Sequence, residues 1–208
     1  MSNKHKRGTR RILAIILLAA CIGIAGLVSY ACTRGETAET VVQDRAVPAA
    51  PVLPEGAPDG QPFLHIDKQT MTLTAYRADG SVQARFGVCT GKGYGNKRRR
   101  GDMKTPEGVF SIQQIQDASS WTHDFGDGLG VIEGAYGPWF LRLRTPGHSG
   151  IGIHGTHKPA SIGTRDSEGC IRLANENIDS LRRMVTVGET VIITPGDADR
   201  QADSSGQP

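Results

Sequence analysis

The stretch FLHIDKQTMTLTAYRADGSVQARFGVC, residues 63–89, decides the fold class. Phe63–Ile66 and Met71–Tyr76 are short apolar runs with β-branched and aromatic members, and both read as strands. Asp79-Gly80 turns the chain, because glycine accepts the positive φ of a tight hairpin turn without a Cβ clash, and Val82–Cys89 returns as a third strand. Cys89 lies within this apolar run and reads as a small buried side chain.

The pattern continues outward from this hairpin. Gly108–Ile115, Leu129–Glu133, Trp139–Leu143, Ile151–His154 and Thr190–Thr194 are further strand candidates, separated by Gly- and Pro-containing turns. Many short strands predict a mainly β domain over 62–195, a sandwich or mixed barrel with one or two short helices. The clear helix begins at Asn175 as N-cap, with Glu176 and Asp179 near its start and Arg182 and Arg183 at its end, where each charge suits the helix dipole. Ile178, Leu181 and Val185 share one face of it. Beyond Pro195 the tail GDADRQADSSGQP has no bulky apolar side chain, so residues 196–208 are expected to be disordered.

The N-terminal third has a different composition. Residues 1–11 hold Lys4, Lys6, Arg7, Arg10 and Arg11 and no acid. Residues 12–31 are uncharged and rich in Ile, Leu, Ala and Val, the length of a bilayer-spanning helix. The basic flank places residues 1–11 in the cytoplasm and everything after residue 32 outside it. An uncleaved signal anchor is expected. Lipidation at Cys21, after Leu18-Ala19-Ala20, and cleavage after Ser29-Tyr30-Ala31 are the alternatives, and all three export the domain. Residues 33–61 contain Pro48, Pro51, Pro54 and Pro58 among Ala, Gly and acids, and read as a semi-extended linker.

Charge narrows the function. Without the five basic residues of the N-terminus, 19 of the 24 Lys and Arg remain against 21 Asp and Glu. A near-neutral domain argues against a nucleic-acid partner, which needs a basic face. Lys97–Arg100 is a local exception, read as a solvated loop or as a contact with an anionic polymer. The four cysteines show no CxxC spacing, and His148, His154, His157 and Cys170 match no recognised metal-ligand pattern, so neither metal nor cofactor is implied.

The chemistry concentrates in HGTHKPASIGTRDSEGCIRL, residues 154–173. A thiol and an imidazole brought together can form a nucleophile and base: His154 takes the proton and Cys170 attacks a carbonyl. Glu168, Gly169 and Arg172 give Cys170 a polar setting that could favour a thiolate.

The segments KTPEGVFSI (104–112), IHGTHKPASIG (153–163) and SEGCIRL (167–173) resemble the L,D-transpeptidase (YkuD-type) catalytic domain, from about Pro62 to Pro195. The resemblance implies Cys170 as nucleophile, His154 as proton donor and acceptor, the Gly155 carbonyl as the group orienting His154, and the Gly169 backbone, with Cys170, as oxyanion hole. It further implies stem peptides of peptidoglycan as partners, bound with help from Arg172, Ser167 and Glu168. Arg172 could instead form an internal salt bridge, and Ser167 could serve the loop. Thr105-Pro106-Glu107-Gly108 is expected to be a rigid support, and Trp121, Tyr136 and Trp139 to line the groove or pack in the core. The implied reaction joins a tetrapeptide donor, releasing D-alanine, to an amine on a second stem, a 3–3 cross-link. Transfer to water or to a protein, or an inactive wall-binding module, are the other possibilities. One residue departs from the family pattern: many members have histidine where this chain has Glu168. Oligomeric state is not legible.

Overall fold

The computed structural model describes residues 52–126, 128 and 130–206. The segments 1–11 and 12–31 and most of the linker lie outside them. Among the described residues no helix is long and apolar enough to cross a membrane.

The hairpin stretch forms β1 (Phe63–Asp67), β2 (Thr72–Tyr76) and β3 (Val82–Gly87), paired antiparallel in sequence order. Alternation decides which face each side chain takes. Leu64, Ile66, Leu73 and Ala75 point to the main core, whereas Phe63 and Tyr76 stack on the opposite face with ring centroids 4.6 Å apart. Ala57, from the end of the expected linker, packs against that second cluster.

After the two-residue β4 (Thr90–Gly91) come the long β5 (Gly108–Asp117), then β6 (Thr122–Asp124) and β7 (Val131–Glu133), which form a separate hairpin. β8 (Trp139–Arg144) and β9 (Gly152–His154) follow, then β10 (Arg165–Ser167) and β11 (Ile171–Arg172). Helix α1 (Asn175–Arg182), strand β12 (Thr190–Thr194) and helix α2 (Asp197–Ser204) complete the chain.

Eight strands make one mixed sheet in the order β11-β9-β8-β5-β12-β1-β2-β3. This corrects the sandwich alternative: there is one main sheet. The expected third strand is also shorter than Val82–Cys89. After Gly87 the chain leaves β2, and Cys89 exchanges both backbone hydrogen bonds with Arg172 of β11, each 2.9 Å. The strand that ends one edge thus reaches the other, and the sheet curls toward a barrel around one apolar cluster. Twist accumulating over eight strands allows this curl, which encloses the core without a second sheet.

α1 packs Ile178 and Leu181 into the core, with Val185 just beyond its end, as its spacing predicts. Its N-cap is Ala174 rather than Asn175. The Asn175 amide oxygen instead accepts the Thr156 N–H at 2.8 Å, and a long-range partner has displaced the local cap.

The tail is the larger correction. Residues 197–204 form a helix whose Asp199 is fully buried. Its stabilisation is polar: Asp199 meets Lys68 at 3.0 Å and Arg165 at 2.5 Å, and accepts the N–H groups of Gly95 and Gly196 at 2.8 and 2.9 Å. A disorder expectation based on missing apolar residues does not register such an anchor.

Candidate active site

The register of two parallel strands brings the expected nucleophile and base together. β11 lies beside β9 with Ile171 opposite Ile153 and Arg172 opposite His154. Carried one residue back, this register sets Cys170 level with Gly152, one pleat from His154. The fifteen residues between His154 and Cys170, β10 among them, make the crossing. Cys170 Sγ lies 3.4 Å from the Gly150 carbonyl, as donor to it.

His154 is buried, 3% exposed, and its tautomer follows from its partner. Nδ1 lies 2.6 Å from the Gly155 carbonyl, which can only accept, so Nδ1 carries the proton and Nε2 presents a lone pair. Phe140 stacks on the imidazole at 5.4 Å and 12°, and Tyr136 meets it edge-on at 4.9 Å. Burial in this aromatic slot lowers its pKa to about 3; the Gly155 carbonyl opposes the shift, and nearby Arg172, His123 and His157 add to it. The base is therefore neutral across the physiological range.

Cys170 is free, as is the buried Cys89. Burial pushes its thiol up from the ordinary value, and Glu168 adds to this, while the Gly152 backbone N–H, Arg172 and Lys97 pull down without prevailing. The expectation of a thiolate-favouring setting is corrected: desolvation outweighs the cations. The resting pair is a neutral thiol beside a neutral imidazole.

The loop before Cys170 is tied internally. Ser167 Oγ donates to the Cys170 carbonyl at 2.5 Å and accepts the Gly169 N–H at 3.1 Å. Ser167 is buried, so it shapes the loop rather than meeting substrate. The same bond occupies the Gly169 N–H, the expected oxyanion donor, within the loop. Gly169 has φ 134°, and a Cβ there would lie 2.8 Å from the Lys104 carbonyl, so glycine is required by both backbone and space.

The expected support at Thr105 is present. Its buried hydroxyl donates to the Gly169 carbonyl at 2.9 Å and accepts the Gly91 N–H at 2.8 Å. Thr105→Val keeps the shape and removes both bonds. It is expected to cost about 2–3 kcal/mol in urea denaturation, because two buried backbone groups lose their partner; an unchanged midpoint would show that the loop does not depend on this anchor.

Cys170 opens onto a cleft of about 580 Å³, whose lining includes the aromatic Trp121, Tyr136 and Phe140 and the cationic Lys97, Arg100 and Arg142, the last of these over the Phe140 ring at 5.1 Å. Trp139 is not part of it: its indole N–H donates to Asp179 at 3.1 Å and Arg182 covers its ring, so it joins β8 to α1. Arg172 also lies off the cleft. It is 4% exposed, sits over the Phe125 ring and lies 3.8 Å from Asp166, the internal role rather than a substrate contact. Glu168 does line the cleft, and its Oε2 meets His123 Nε2 at 3.1 Å. His148 lines the cleft, whereas His157 lies against Phe125. Among the described residues no three His, Cys, Asp or Glu side chains are grouped to hold a metal ion. His123 and Phe140 carry no motif, and only the fold brings them to the site.

A curled mixed sheet with a buried imidazole and a cleft-facing thiol on adjacent parallel strands defines a site for thiol acyl-transfer chemistry. The sequence profile of the L,D-transpeptidase catalytic domain (YkuD) matches residues 61–193, and the chain belongs to that family. The Bacillus subtilis protein YqjB, named as a candidate L,D-transpeptidase, is 31% identical over 137 residues, 65% of this chain and 72% of that protein. YkuD of Bacillus licheniformis, named likewise, is 42% identical over 139 residues, 66% of this chain and 69% of that protein. Among solved structures, a variant of the helical cell shape determining protein Pgp2 from Campylobacter jejuni superposes with a TM-score of 0.51 at 22% identity. That match covers 71% of this chain and 55% of that one, and shows the fold.

Proposed function

We propose that this chain is an exported, membrane-tethered peptidoglycan L,D-transpeptidase with Cys170 as nucleophile and His154 as base. The observation that carries the reading is the His154 imidazole, neutral and pinned through Nδ1 to Gly155, with its free Nε2 on the strand beside Cys170. A neutral thiol and a neutral base react by transferring the proton as attack proceeds, so no standing thiolate is needed.

In the first half-reaction the thiol proton passes to His154 Nε2 and sulfur attacks the carbonyl before the terminal D-alanine of a tetrapeptide. The C–N bond breaks, and D-alanine leaves with the proton returned by His154. In the second, the neutral amine of another stem attacks the thioester carbon. A C–N bond forms, the C–S bond breaks with its electron pair on sulfur, and the surplus amine proton reaches sulfur through His154. Arg100 and Arg142 on the cleft wall suit the carboxylates of stem peptides. The uncharged segment 12–31 is the tether that would hold this domain against the wall.

The full chain, incubated with disaccharide tetrapeptide, is expected to gain the mass of the donor less D-alanine, and Cys170→Ala to gain nothing. Absence of an adduct on the wild-type chain would overturn the reading. Product analysis separates the acceptors: a cross-linked dimer marks a stem amine, a tripeptide marks water, and a protein-linked stem marks anchoring.

A further inference from the structure

The transpeptidase reading leaves the second substrate unassigned, and the charges of the cleft address it. Arg100 and Arg142 both line the cleft, and neither has a carboxylate partner among the described residues, whereas Lys97 is matched by Asp102 at 2.7 Å. Two such cations attract the carboxylates of a donor stem and repel an ammonium. Among the described residues lining the cleft, Glu168 is the only carboxylate. It stands two residues before Cys170. Its Oε2 is held by His123 Nε2 from the β6–β7 hairpin, while Oε1 has no partner among the described residues, and the side chain remains 41% exposed.

An anion at this place hinders the first half-reaction. Glu168 pushes up both the Cys170 thiol and the Tyr136 hydroxyl, so it opposes the loss of the proton that acylation requires. The same charge helps the second half-reaction, which must bring a cationic amine beside the thioester. We propose that Glu168, oriented by His123, is the acceptor-selecting residue of this site and takes a primary ammonium on the acceptor stem. The inference rests on the transpeptidase reading above. Glu168 gathers and orients the ammonium through an ion pair; the amine loses one proton to water before it attacks, and the bonds formed and broken are those already given.

The test separates the two half-reactions in the full chain. With disaccharide tetrapeptide as donor, transfer is measured to Nα-acetyl-lysine amide, a cationic acceptor, and to hydroxylamine, uncharged at neutral pH. In Glu168→Gln the ratio of transfer to the cationic over the uncharged acceptor is expected to fall about three- to five-fold, as loss of a partly exposed ion pair implies. The first-step acylation rate is expected to rise, because an anion beside the thiol is gone. Glu168→Asp, which keeps the charge, is expected to retain most of the preference. An unchanged ratio in Glu168→Gln, or an equal fall for both acceptors, overturns the assignment while acylation still upholds the transpeptidase reading. No acyl-enzyme in the wild-type chain overturns both.

Discussion

Replacing His154 with glutamine is expected to slow acylation of Cys170 about a thousand-fold, the middle of the range for removing a positioned general base. The thiol is held above its ordinary pKa, so little thiolate exists near neutrality to compensate. The pH profile makes the test specific. With His154 titrating near 3, the wild-type acylation rate should show no acid limb from this residue between pH 5 and 7. In His154→Gln the residual rate should instead climb with pH, following thiolate formation alone. Single-turnover adduct formation by mass measures both, and a wild-type limb near pH 6.5 that vanishes in the variant would refute a buried, neutral base.

Stability carries the same signature. Between about 3 and 6.5 the unfolded chain protonates His154 and the folded chain does not, so the unfolded state binds more protons and folding stability rises with pH across that window. Acidification from pH 7 to 3 should therefore cost the wild type on the order of 4 kcal/mol through this residue. Urea titrations at several pH values should show that slope reduced in His154→Gln.

Asp199→Ala is expected to destabilise the domain by about 3–5 kcal/mol. Lys68, Glu107, Asp199 and Arg165 form a network of two cations and two carboxylates, with the Lys68 and Asp199 side chains fully buried. Burial pushes the Asp199 carboxyl up, but the Gly95 and Gly196 N–H groups, Arg165 and Lys68 outweigh it and hold it below the ordinary carboxylate range. Removing it leaves Lys68 with Glu107 alone and Arg165 with no carboxylate among the described residues, so a buried positive charge is uncompensated. It also frees the Gly95 N–H, from the loop that carries Lys97, Arg100 and Met103 to the cleft. Arg98→Ala breaks only an exposed pair with Asp203 and should cost less than about 1 kcal/mol. Urea midpoints compare the two; equal effects would mean that α2 is not an anchor.

Legibility followed the range of the forces involved. β1, β2, β3 and the Asp79-Gly80 turn were readable because alternation and turn chemistry act within a few residues. The short β10 and β11 were not, since two or three residues carry no period and these strands form only where β4 and β9 offer partners. α2 had an acidic first turn but no apolar stripe, and its anchor lies 131 positions away in sequence at Lys68.

At the site, the sequence by itself placed a thiol, an imidazole and a glycine before the thiol within residues 154–173, because residue type and local spacing specify that much. Tertiary structure decided their states. The Phe140 and Tyr136 slot keeps His154 neutral, and burial keeps the Cys170 thiol protonated. Ser167 and Arg172, candidates for substrate, are turned into the loop, while Glu168 meets His123 in the cleft lining. Desolvation and long-range pairing depend on what the folded chain packs around each group, and no local pattern in the sequence encodes that.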